Sequence, residues 1–156
     1  MSERSERTRR RAARVLLLDA AGRVLLLHGC DPHRPNHTYW FTVGGGLGDG
    51  ESFRDAAVRE LREETGLALA AAELTGPVWR QVTEFPFAGE WYEQEQEFFV
   101  AHAPEASWTF SRAGFDEIES AYIDNYGWWS VAELAATDER YYPAELADVL
   151  REILEA

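Results

Sequence analysis

The chain has 156 residues, 46% of them hydrophobic, and a formal net charge of −13. Its length supports one real core, and its composition is that of a folded globular chain. The acidic balance argues against a general nucleic-acid binder, which needs basic surface to neutralise phosphates. No apolar run approaches the roughly 20 residues that cross a bilayer as a helix; Val15 to Leu18 and Leu67 to Ala72 are the longest and fall far short. A single cysteine, Cys30, excludes an internal disulfide framework and fits a reducing cytoplasm.

Taken in chain order, the N-terminal region carries six arginines before residue 15: Arg4, Arg7, Arg9, Arg10, Arg11 and Arg14. Asp19 interrupts the short apolar run behind them, so a secretory leader does not fit, and Glu3 and Glu6 are out of place in a transit segment. Residues 1–12 are therefore expected to form a flexible solvated tail, and residues 13–156 a single domain. The runs Arg14 to Leu18 and Arg23 to Leu27 repeat one another around Asp19-Ala-Ala-Gly22 and read as two buried strands of a hairpin. A proline-containing loop from Asp31 to Asn36 follows, then a strand near Tyr39 to Val43. Five glycines (Gly44, Gly45, Gly46, Gly48 and Gly50) come next.

Ser52, with Asp55 three residues on, is an acidic variant of the capping box and starts a helix near Phe53; Gly66 stops it. Val78 to Thr83 and Glu95 to His102 read as strands, connected through Pro86 and Gly89, and Trp128 and Trp129 end a further strand. Ser130 with Glu133 caps a short helix, and Pro143 to Glu155 forms a final amphipathic one. Strands mixed with helices, without regular βαβ alternation, indicate an α+β fold with a mixed sheet sandwiched between helices.

The helix from Phe53 carries the chemistry. Glu60, Glu63 and Glu64 stand at i, i+3 and i+4 and share one face, while Val58, Leu61 and Thr65, with Ala57 at the border, turn toward another that can pack on a sheet. Like charges so placed destabilise a bare helix by roughly several tenths of a kcal/mol, and anions near a C-terminus oppose the helix dipole. Divalent cations on the patch remove that conflict, because hard ions such as Mg²⁺ (or Mn²⁺) take carboxylate oxygens, water and substrate phosphate. The bland alternative is a solvated acidic face. The glycine loop just before the helix weighs against it, since glycine lets backbone approach a ligand closely and offer a carbonyl to a metal.

Gly45, five residues, Glu51, seven residues, then Arg59-Glu60-Leu61-Arg62-Glu63-Glu64-Thr65-Gly66-Leu67 resembles, without a gap, the box of the Nudix (MutT-like) hydrolases. The resemblance implies the Nudix fold and hydrolysis of a diphosphate linkage in a nucleoside diphosphate-X substrate, by attack of water on phosphorus. It implies a small nucleotide-like partner and no membrane, and many relatives are homodimers. On this pattern Glu60 and Glu64 are metal ligands, and Glu63 is a ligand or the base-side carboxylate. Gly45, or its neighbour Gly44, offers a carbonyl; Arg59 pairs with Glu51 and orients the helix carboxylates. Glu51, Arg59, Glu63 and Glu64 make up the catalytic set, and Gly45, Glu60, Glu63 and Glu64 the metal set. Which glutamate takes the proton stays open.

A further ligand from outside the box is expected from Glu93, Glu95 and Glu97, which alternate on one strand face. Glu95, ahead of Phe98 and Phe99, is the choice; Glu117 and Glu119 come behind it, and a solvent-facing edge is the plain alternative. His28, Cys30, His33 and His37 do not match a zinc spacing, and a histidine at the substrate mouth suits them better. Trp40, Tyr92 or Phe87 could stack on a base, although aromatics more often serve the core. The positions some 15 to 18 residues after the box, where Val82, Thr83, Glu84 and Phe85 stand, lack the proline or tyrosine typical of the ADP-ribose and dinucleoside polyphosphate subgroups. Three other readings are a nucleotide-binding sensor on the same fold, an isomerase of the isopentenyl diphosphate type, and an acidic structural protein. The complete set of box glutamates opposes the first, the setting of Cys30 the second, and the glycine loop the third.

Overall fold

The computed structural model describes residues 7–104, 110–111, 113–115 and 122–156, so Glu117 and Glu119 lie outside the described residues. Seven strands make one sheet: β1 (Thr8–Leu18), β2 (Val24–Asp31), β3 (Arg34–Gly46), β4 (Thr75–Phe87), β5 (Glu90–His102), β6 (Ile123–Trp129) and β7 (Tyr141–Tyr142). The order is β4-β5-β1-β2-β3-β7, with β6 on β2 and a second pairing of β1 with β3. The β1–β5 and β3–β7 pairs are parallel and the rest antiparallel. Helix α1 (Phe53–Thr65) covers one face; α2 (Val131–Ala136) and α3 (Leu146–Glu155) cover the other. This is the expected α+β sandwich. Among the described residues no helix is long and apolar enough to cross a membrane.

The near-continuous apolar runs of β1 and β2 follow from burial on both faces. Ala13, Val15, Leu17, Leu25, Leu27, Val43 and Phe99 pack with Ala57 and Leu61 of α1, whereas Leu16, Leu18, Val24, Leu26, Phe98 and Val100 pack with Leu134, Leu146 and Leu150. The Asp19 turn is held by its own carboxylate, which accepts from the backbone N–H of Ala21 at 3.0 Å and of Arg23 at 2.8 Å. The two runs are consecutive strands, but their ladder is confined to Leu18 opposite Val24. The main neighbour of β1 is instead β5, in register from Thr8 opposite Tyr92 to Leu18 opposite His102.

That pairing takes the end of the expected tail into the sheet, while residues 1–6 lie outside the described residues. Residues 8–12 belong to β1, because a backbone ladder along β5 forms whatever the polarity of the side chains pointing away from it. Two loops also shrink. The segment expected as a loop from Asp31 to Asn36 is a tight hairpin turn between β2 and β3, and Gly44 to Gly46 continue β3 rather than leaving it. In the same way β4 runs on through Pro86 and turns at Ala88 and Gly89, both at positive φ. Helix α1 begins and ends where expected: Ser52 Oγ accepts from Asp55 N–H, and Gly66 closes it in the left-handed conformation at φ 80°. Ser130 and Glu133 form the full reciprocal box at α2. The last helix starts at Leu146, three residues inside the expected limit at Pro143.

Candidate active site

Helix α1 lies on the β1–β3 seam. Ala57, Leu61 and Thr65 are fully buried against the sheet, which orients Glu60 and Glu64 toward the glycine end of β3. There the missing side chains matter. A Cβ on Gly45 would stand 2.6 Å from Glu60 Oε1, and one on Gly44, at φ +143°, would stand 2.1 Å from the carbonyl oxygen of Ala13. Glycine at both positions lets a helix carboxylate reach strand backbone. Glu64 uses that approach: its Oε1 accepts the Gly44 N–H at 2.7 Å.

Glu60 and Glu64 are 8% and 2% exposed, so the solvated-face alternative fails for both. Buried carboxylates need partners, and Arg59 organises most of them. Its Nε and Nη2 bond both oxygens of Glu51 at 2.9 Å, and Nη2 also reaches the Gly46 carbonyl at 2.9 Å. Its Nη1 bonds Glu60 Oε1 and Glu63 Oε1, each at 2.9 Å. One planar fork therefore ties the first residue of the acidic motif, two helix carboxylates and the glycine strand into one unit. Glu51 foremost raises the Arg59 pKa, against the lowering effect of burial, and Glu60 adds to the rise. The structure thus joins Glu51, Arg59, Glu60 and Glu63 in one network and sets Glu64 beside it through Gly44.

The Glu51 carboxyl is held at about 2, first by its side-chain bond to Arg59 and then by the Gly48 N–H, which donates to Glu51 Oε1 at 2.8 Å. A folded-state pKa below the ordinary value of 4.5 gives stability that is complete above the ordinary value and is lost as pH falls through the lowered one. Glu51→Gln is expected to destabilise the metal-free protein by about 1–2 kcal/mol at neutral pH, allowing for solvent screening. It should also flatten the dependence of Tm on pH between about 4.5 and 2. Parallel thermal-unfolding profiles for the two proteins over that range would refute the assignment.

Sequence reasoning missed Arg14, whose Nη1 donates to the Thr42 carbonyl at 3.2 Å and whose Nε donates to Gln96 Oε1 at 3.3 Å. Burial lowers its pKa, Glu64 and Glu60 act to raise it, and Arg10 adds to the lowering. A cation thus stands close to the helix carboxylates from the far side of the glycine strand. A charge at the head of an otherwise apolar strand was the available signal.

Glu95 is held differently. It lies half-buried on β5, between Arg11 of β1 and Val82 of β4, and its carboxylate pairs with Arg80, which also approaches Glu97 at 3.8 Å. No bond among the described residues links it to the α1 network. The histidines go separate ways: His28 Nδ1 contacts Asp124 Oδ1 at 2.6 Å, and His37 Nδ1 meets Arg34 at 3.4 Å. His28 lines a cavity of about 290 Å³ with Thr38, Trp40 and Arg140. Trp40 packs on His28 and Trp129 and donates from Nε1 to Glu139. Tyr92 stacks on Phe85, and Phe87 lies edge-on to Tyr122.

Among the described residues, no three His, Cys, Asp or Glu side chains stand as a closed ligand set for a metal. The donors nevertheless suit Mg²⁺, which keeps several waters and binds through one or two carboxylates plus substrate phosphate, rather than in an all-protein cage. Glu60 and Glu64 are buried oxygen donors at the helix surface, and Glu60 lies against Gly45 with no side chain between them.

A mixed sheet lies between helices, with a glycine strand leading into a carboxylate-bearing helix. The family model of the NUDIX domain matches residues 8–152, and the chain belongs to that family. It is 42% identical over 72 residues to an RNA pyrophosphohydrolase of Dinoroseobacter shibae, a match covering 45% of this chain and 43% of that protein. It is 35% identical over 71 residues to Nudix hydrolase 25 of Arabidopsis thaliana, covering 39% and 40%. The chain thus spans less than half the length of these relatives. The fold is shared with a MutT protein of Methanosarcina mazei (TM-score 0.68, 20% identity, 96% of each chain). It is also shared with an Ap4A hydrolase of C. elegans (TM-score 0.59, 20% identity, 94% of this chain and 96% of that one).

Proposed function

We propose that this protein hydrolyses a diphosphate linkage in a nucleoside diphosphate-X type substrate, with Mg²⁺ or Mn²⁺, by attack of water on phosphorus. The observation that carries the reading is the Arg59 fork, which gathers Glu51, Glu60, Glu63 and the Gly46 carbonyl around one guanidinium beside the buried Glu64. Glu60, Glu64 and the Gly45 carbonyl would hold the cation, with Glu63 as a further ligand or as the base. When bound, the cation would polarise a phosphoryl oxygen and offset charge on the departing phosphate.

The protein's own part is positioning and preorganised electrostatics. Arg59 restrains Glu60 and Glu63, so little rearrangement is needed when substrate arrives. The Gly44 N–H fixes the Glu64 carboxylate. Glu63, whose side chain is 35% exposed, is the helix carboxylate open to solvent and so the better placed to take a proton from the attacking water. Glu95 is a reserve ligand in this scheme, and its use would require release from Arg80.

The test is hydrolysis of a mixed panel containing nucleoside triphosphates, ADP-ribose, NADH, dinucleoside polyphosphates and nucleotide sugars, with Mg²⁺, with Mn²⁺ and with chelator. Cleavage that chelator abolishes is the expected result. Nucleotide binding without turnover of any compound would overturn the reading in favour of a sensor domain.

A further inference from the structure

Residues 9–11 of the segment expected as a solvated tail form one wall of a second cavity. Arg9, Arg10 and Arg11 of β1 face residues 46–50 of the glycine loop across about 330 Å³. Beyond Ala12 opposite Gly46, the β1–β3 ladder ends with Leu47 N–H donating to the Arg11 carbonyl. From there the loop peels away and opens the cleft.

Arg10 lies along Gly46, where an added Cβ would stand 3.1 Å from its Nε and 3.2 Å from its Nη2, and its guanidinium rests on the Tyr92 ring at 5.8 Å. Arg11 rests on Phe53, the first residue of α1, at 5.8 Å. Among the described residues none of these three arginines forms an ion pair, whereas Arg7, Arg23, Arg59, Arg80 and Arg151 all do. In a chain of net charge −13, three adjacent cations without an ion pair among the described residues border one cleft, Arg9 and Arg11 from one face of β1 and Arg10 from the other, and raise the positive potential there. Among the described residues Asp49 is the one acid in the lining.

The cleft also joins the catalytic helix. Gly46 lines it, and the Gly46 carbonyl accepts from Arg59 at 2.9 Å. An anion lying on Arg10 is thus one loop residue away from the guanidinium that holds Glu51, Glu60 and Glu63.

We infer that this cavity is an anion subsite that takes a phosphate group next to the scissile linkage, so that the preferred substrate carries a chain of at least three phosphates. The inference rests on the hydrolase reading only for which phosphate fills the cleft; the anion site itself stands apart from the metal chemistry. Arginine suits the role, because its planar donors grip phosphate oxygens in pairs.

The test uses inorganic tripolyphosphate and the full chain in chelator, followed by titration calorimetry. The wild type should bind tripolyphosphate, more weakly as salt is raised and more tightly than citrate. Arg9→Gln/Arg10→Gln/Arg11→Gln should bind it at least about tenfold more weakly, the loss of about one good charge-assisted contact. The exposed pair Arg9→Gln/Arg11→Gln, which leaves Arg10 on Tyr92, gives an intermediate loss and covers the case in which the triple variant does not fold. With Mg²⁺, the triple variant should raise KM for nucleoside triphosphates several-fold more than for ADP-ribose.

Equal tripolyphosphate affinity in wild type and both variants overturns the subsite, as does citrate binding as tight as tripolyphosphate. If the substrate panel shows no turnover while tripolyphosphate binding still depends on the arginines, the hydrolase reading falls and the anion site survives.

Discussion

Glu64→Gln is expected to reduce turnover roughly a hundredfold or more while Tm stays within a few degrees of wild type. Groups that merely orient metal ligands cost about 10–100-fold when changed, so a proposed ligand should lie at or beyond the upper end. The fold should survive because glutamine keeps an oxygen at Oε1 to accept the Gly44 N–H, the bond seen at 2.7 Å. Glutamine is also nearly isosteric in a site only 2% exposed. Turnover of the most active panel substrate, measured beside thermal unfolding, separates the two effects. Near-normal turnover would remove Glu64 from the metal set, and joint loss of turnover and Tm would assign it a structural role instead.

Gly44→Ala is expected to cost about 3 kcal/mol or more, from backbone strain together with overpacking. Two separate penalties meet there. The backbone sits at φ +143°, which L side chains rarely adopt, and the new Cβ would stand 2.1 Å from the Ala13 carbonyl oxygen and 2.8 Å from the Arg14 Cα. The obstructing atoms are backbone, so they cannot swing aside as a side chain would. The β1–β3 ladder would have to open, taking with it the N–H that holds Glu64. Urea unfolding measures the cost. Gly50→Ala serves as a control, since positive φ applies there as well but nothing lies within 4 Å of an added Cβ. Equal losses at the two positions would show that φ alone is responsible and that the close approach of β1 contributes nothing.

The sequence by itself determined helix α1, its caps and its acidic face, because these are local matters. Ser52, Gly66 and the i, i+3, i+4 spacing act within a few residues of chain. The two apolar runs and the sandwich class were legible for a similar reason, since burial on both sides leaves a pattern in each strand. Strand partners and extents needed the tertiary structure. Nothing near Arg9 or Arg11 indicates that β5, more than seventy residues on, lies alongside in parallel register, and register across such a separation is set by the whole sheet. The same limit hid Arg14 behind the glycine strand, the pairing of Glu95 with Arg80, and the cleft between three arginines and the glycine loop. A motif states which groups the chemistry employs. Which charges stand opposite them is decided only when distant strands meet, because Coulomb interactions follow distance in space and not along the chain.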